Sequence, residues 1–252
     1  MPLKGSGKST SSSGTQAKDL DSKAGAFAQE VSELLAATLP GEHAVAIEQK
    51  PPAYVLRTSS DGGRSIGDIP LRIDGQDRAC AFFFVRMSLR PDRTGRHLAV
   101  ANSALWLRGP DRRPIVRLEF VEDARRFPVC HWQFHGENFE LDRVLQTARP
   151  DSKAARNLSA LHYPVGGVRM RPGIEDFLQF LIQECGFESV PGWRKPVEAS
   201  RADWRIRQTK AMVRDAPRAA AKSLAEHLGV RVLRLARLSE GTDDLHKGLT
   251  RW

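Results

Sequence analysis

A chain of 252 residues with 40% hydrophobic and 27% charged residues has the composition of a globular protein, long enough for one full core or two modest ones. No apolar run approaches the ~20 residues needed to span a bilayer, and three dispersed cysteines, Cys80, Cys130 and Cys185, odd in number, argue for buried thiols rather than a disulfide framework. The formal charge of +9 is uneven: residues 191–252 hold 14 Lys and Arg against 7 Asp and Glu, a field that favours nucleic acid, anionic lipid or acidic protein.

Residues 1–20, rich in Ser, Gly, Thr and Lys, have too little apolar surface to offset the entropy of ordering, so a disordered tail is expected there. Met1-Pro2-Leu3-Lys4 and the residues after it offer no apolar signal-peptide core, which leads to the expectation of a cytoplasmic protein. Gly5-Ser6-Gly7-Lys8-Ser9-Thr10 imitates a phosphate-binding loop, but Pro2 stands where that motif needs glycine and only one residue precedes it. Phe27, Val31, Leu34, Leu35 and Thr38 recur at helical spacing, and Pro40-Gly41 supplies a stop, which predicts a helix over 22–39.

Six β-like runs follow, over 44–57, 66–73, 79–89, 97–107, 114–121 and 129–135, punctuated by Asp74-Gly75, Pro91-Asp92 and Gly109-Pro110. Such short connections suit antiparallel neighbours, since parallel strands need crossovers of about a dozen residues or more. In the fifth run Val116, Leu118 and Phe120 alternate with Arg117 and Glu119, and in the sixth Cys130, Trp132 and Phe134 alternate with His131, Gln133 and His135, so one face is apolar and the other polar. A polar loop is expected over 148–159. Pro172 then opens a helix with Ile174, Phe177, Leu178, Leu181 and Ile182 in a stripe, Glu175 and Asp176 in its first turn, and Gly186 at its end. Two more helices are predicted over 200–213, capped by Ser200, and over 217–228, ended by Gly229.

The expected fold is therefore α+β: an antiparallel meander of five to six strands with an N-terminal helix and a C-terminal helical region packed on one face. The domain reading is a tail at 1–20, an α+β core at 21–190 and a basic helical region at 191–252, which can belong to the same domain.

Several constellations carry chemistry. His131, Gln133 and His135 share a strand face, and His162 is a third imidazole to join them; as general acid or base they would work beside Arg117, Arg169 or Arg171 on an anionic substrate. Two histidines four apart on a strand are roughly 13 Å apart, too far to share one metal, so no metal is expected and no cofactor is implied. The plainer reading makes this the solvated face of a sheet. Residues 163–172, Tyr-Pro-Val-Gly-Gly-Val-Arg-Met-Arg-Pro, lead two arginines into a helix N-terminus and offer an anion pocket, or simply a tight turn.

In the basic region Arg194, Lys195, Arg201, Arg205 and Arg207 interleave with Trp193 and Trp204, pairing charge for phosphates with rings for bases. Trp204, inside a helix, is expected to face the core and Trp193, after Pro-Gly, to be more exposed. Residues 221–230 resemble the first half of a helix-turn-helix, with Ala225 in the helix and Gly229 in the turn, but Val232 and Leu233 stand where base-facing polar residues belong; Arg231, Arg234 and Arg237 otherwise read as a solvated face.

Three functions emerge. The first is a nucleic-acid-associated or other polyanion-binding protein that uses its basic helices. The second is a hydrolase or transferase for an anionic substrate, with His131, His135 or His162 as acid or base and Arg169 and Arg171 holding the anion. The third is a non-catalytic subunit that docks on a protein partner. Nucleic acid and a protein are the expected partners, and a membrane is not.

Overall fold

The computed structural model describes residues 10–50, 53–60, 65–73, 76–92, 95, 97–148 and 157–229. Nine strands and five helices lie among them, and the chain divides into two compact units, Met1–Pro114 with Phe187–Pro191 and Ile115–Gly186 with Gly192–Trp252. The fold is α+β with antiparallel pairing throughout the registered strand pairs, as the short connections imply. Among the described residues no helix is long and apolar enough to cross a membrane.

The first unit opens with α1 (Thr10–Ala36). It begins earlier than the periodicity implies and takes in half of the segment expected to be a tail; residues 1–9 lie outside the described ones. Leu20, Ala24, Ala28, Val31, Leu34 and Leu35 form its buried stripe. Asp21 on α1 accepts hydrogen bonds from the Tyr54 hydroxyl at 2.7 Å and from the Gln49 amide at 2.9 Å, which ties the helix to the first hairpin.

That hairpin is β1 (Ala44–Lys50) and β2 (Ala53–Ser60), so the run read as one strand is two, separated at Pro51-Pro52, where proline has no N–H for the ladder. The next run likewise yields two short strands, β3 (Ser65–Ile66) and β4 (Ile69–Leu71), and β5 (Ala81–Pro91) and β6 (Leu98–Arg108) form the long central pair. Strand order is β1-β2-β5-β6, with β3 on β2 and β4 on β5. Ala81, Phe83, Val85, Met87 and Leu89 of β5 alternate inward without exception, which makes this strand the spine of the core. Cys80 is half-buried rather than buried.

In the second unit β7 (Pro114–Val121) pairs with β8 (Cys130–Phe134), which pairs with the two-residue β9 (Tyr163–Pro164). A helix not anticipated from the sequence, α2 (Phe139–Ala148), precedes β9. Next come α3 (Ile174–Gln179), which widens into a π-type turn over Phe180–Glu184, then α4 (Arg194–Asp215) and α5 (Pro217–Leu228), closed by Gly229 at φ +64°. The helix expected over 200–213 thus starts six residues earlier, at Arg194. Ser200 is no cap: it lies inside α4 and its hydroxyl donates to Glu175 Oε1 at 2.5 Å.

Helices of this unit cover the apolar strand face. Trp132 stacks on Phe177 at a centroid distance of 5.6 Å and meets Phe180 edge-on at 5.7 Å. Leu118, Phe120, Cys130, Phe177, Leu178 and Leu181 are buried there.

Candidate functional site

Register places Glu119 opposite His131 and Arg117 opposite Gln133, so these four side chains share the polar face of the β7–β8 pair. It is not a solvated face. His131 has no exposed surface and Gln133 is 9% exposed. Segments on either side return to cover them. His131 Nδ1 bonds the Pro128 carbonyl at 2.9 Å, and the Gln133 amide donates to the Ser159 carbonyl at 2.6 Å.

The Pro128 carbonyl can only accept, so Nδ1 carries a proton, and Nε2 turns toward Glu119, whose Oε2 is 3.6 Å away. Nε2 has no hydrogen-bond partner among the described residues. His162 packs edge-on against His131 at 4.6 Å, and Phe127 stacks on His162 at 5.2 Å, so two imidazoles, one carboxylate and one phenyl ring form a single knot. Burial pulls the His162 pKa down, and the neighbouring His131 adds to that. The two imidazoles are closely packed.

His135 lies past the end of β8, its backbone N–H bonded to the Ile115 carbonyl at 2.8 Å. Burial and Arg117 lower its pKa. The structure brings His131 and His162 together and gives no contact of either with His135.

The arginines expected to join the histidines go elsewhere. Arg171 is 8% exposed and lies over Phe120 at 3.9 Å and Trp204 at 5.2 Å. Phe120 belongs to the apolar face, so Arg171 and His131 are on opposite sides of the sheet. Burial lowers the Arg171 pKa to about 10, and its guanidinium donates to the Val168 carbonyl. Arg169 pairs with Asp215 at 2.6 Å, where α4 ends.

Gly166 and Gly167 both have positive φ, and the Met170 N–H bonds the Gly166 carbonyl at 3.0 Å, so this segment is a tight turn. At the helix that follows, the Gly173 N–H is taken by the Asp176 carboxylate at 2.9 Å, and the buried Glu175 stands beside it. Carboxylates fill the place an anion would need. Burial raises the Glu175 pKa.

The basic helix α4 has two sides. Inward, Arg201 forms an ion pair with Asp176 at 2.9 Å and donates to Gln179 Oε1 at 2.6 Å, and Trp204 lies against Gly173. Arg205, one turn on from Arg201, reaches the same Asp176 at 4.0 Å with 70% of its side chain exposed; outward, Arg207, Lys210 and Arg214 are exposed at a spacing of three and then four. Arg218 and Lys222 on α5 are also exposed. Trp193 is half-buried, like Trp204, and stacks under Arg194 at 4.9 Å, while Lys195 is exposed beside it.

Lys210, Arg214, Arg218 and Lys222 were not singled out by motif. A readable signal did exist: residues 204–225 contain six basic residues and one acidic residue, Asp215. The structure engages that carboxylate with Arg169. Residues 230–238, including Arg231, Val232, Leu233, Arg234 and Arg237 of the helix-turn-helix resemblance, lie outside the described residues.

Cys130 is buried, with a pKa pushed up to about 11, and Cys185 is half-buried; all three cysteines are free. Among the described residues no group of three or more His, Cys, Asp or Glu is placed to hold a metal ion. No family model, curated protein or solved structure matches this chain.

Proposed function

We propose that the protein binds nucleic acid through its phosphates, using the outward side of α4 and the start of α5. One observation carries this reading: Arg207, Lys210, Arg214 and Arg218 are all exposed along a run in which Asp215 is taken by Arg169, and Lys222, paired with Glu226 at 3.7 Å, continues it on α5. Such a surface attracts a polyanion by releasing its condensed counterions and needs no base-specific contact. Arg201 joins α4 to α3, Arg169 ties the loop before α3 to the end of α4, and Arg171 lies on the sheet over Phe120; they take no part.

The histidine-based reaction draws less support. His131 offers no accessible atom to a substrate, and Arg171 lies across the sheet from it.

The test compares wild type with an Arg207→Ala, Lys210→Ala, Arg214→Ala variant by fluorescence anisotropy on labelled DNA and RNA. Three lost phosphate contacts reduce the slope of log affinity against log salt by about 2 on a single strand. An unchanged slope contradicts the proposal.

A further inference from the structure

The apolar face of the second unit does not end in the core. Trp132 lies nearly parallel to the buried Phe177, at 13°, and Phe134 continues nearly parallel to Trp132, at 11° and 6.3 Å. At the rim Phe134 is 37% exposed, and Tyr163 of the edge strand β9 meets it edge-on at 5.4 Å and is 38% exposed. Two aromatic rings that could have been buried are thus held at the surface, backed by packed rings that fix their orientation. Large exposed aromatics held rigidly this way mark a recognition surface.

Its place in the chain says what it recognises. Tyr163 is six residues before Arg169, a length that spans at most about 20 Å fully extended and less here because of the Gly166 to Met170 turn. Arg169 is tied to Asp215, which sits between the exposed Arg214 and Arg218. Arg171, locked over Phe120 and Trp204, anchors the same segment to the sheet. The aromatic rim and the basic run are therefore joined by one short, doubly fastened segment. Rings for bases, joined by a short segment to cations for phosphates, is the chemistry of a single strand, whose bases are free to stack, and not that of a duplex, whose bases already stack on each other.

We propose that Phe134 and Tyr163 form a base-stacking ledge, and that the nucleic acid this chain prefers is single-stranded. The inference rests on the phosphate-binding reading above. It adds the ledge and the strand preference.

The test uses the full chain and a fluorescein-labelled oligonucleotide, single-stranded or annealed to its complement, at fixed low salt. Base stacking on an aromatic ring contributes ~1–3 kcal/mol, so Tyr163→Ala is expected to weaken single-strand binding roughly tenfold and leave duplex binding unchanged, with Tyr163→Phe restoring the loss. Because Phe134→Ala removes a neighbour of Trp132, Phe134 is tested in the wild-type protein by photo-crosslinking a 5-iodouracil strand; adducts on Phe134 or Tyr163 are expected. Equal affinity for single strand and duplex, both unaffected by Tyr163→Ala, overturns the ledge while leaving phosphate binding intact. Crosslinks confined to other positions also overturn it. No binding to either form overturns both.

Discussion

Gly166 and Gly186 have similar backbones, with φ of +58° and +75°, but different surroundings. A Cβ at Gly166 would collide with the Met170 carbonyl, whereas at Gly186 it would meet nothing within 4 Å. Gly186→Ala should therefore cost only the left-handed strain of about 1 kcal/mol, and Gly166→Ala measurably more, as read from denaturant midpoints at constant m-value. Equal costs would mean that the Gly166 turn yields freely, against its role as a fastened segment.

His162 makes a second prediction. Its folded pKa is below the ordinary 6.5 because of burial and of His131, with Glu119 opposing. The unfolded chain then binds the extra proton first. Stability is fully present above about pH 6.5 and is lost as pH falls from there through the folded value. His162→Phe, which keeps the ring against Phe127, should flatten the fall in stability as pH drops below about 6.5 relative to wild type. Denaturation at several pH values reads this, and an unchanged profile would show that His162 does not supply the dependence. The polar alternation of His131 and Gln133 was legible in the sequence; their burial was not, because the cover comes from residues 127–128 and 159–162, and nothing local encodes that return.

Among the elements, α4 shows how far a charge pattern misleads without orientation. Arg201, Arg205 and Arg207 read alike in sequence, yet Arg201 points inward to Asp176 and Gln179 with 15% of its side chain exposed. Arg201→Ala leaves the half-buried Asp176 without its closest cation and should destabilise the fold by about 2 kcal/mol, with nucleic-acid affinity of the folded protein unchanged. Thermal denaturation and anisotropy on the same sample separate the two effects. A loss of affinity without loss of stability would place Arg201 on the binding surface instead.

Helix α1, the strand runs and α5 with its Gly229 stop were readable because each has a sustained period or a strong punctuator. Missing were β9, two residues long, and α2; the π-type turn after α3 likewise has no sequence signature. Pro51-Pro52 is the signal in the sequence for splitting the first strand run.

For the whole molecule, the fold class followed from the order of elements, helix then strands then helices, and the uneven charge pointed to the C-terminal region. What sequence did not reveal is that the positive charge there divides into an inward set that holds the helices and an outward set open to solvent. The central claim is that the outward set binds phosphates. Its most direct test is the affinity of the wild-type chain for a labelled single strand, followed from about 50 to about 200 mM salt. Engagement of four or five phosphates predicts a log–log slope near −3 and a fall in affinity of some sixtyfold over that range. Affinity that is undetectable at the lowest salt, or that does not change with salt, would contradict it.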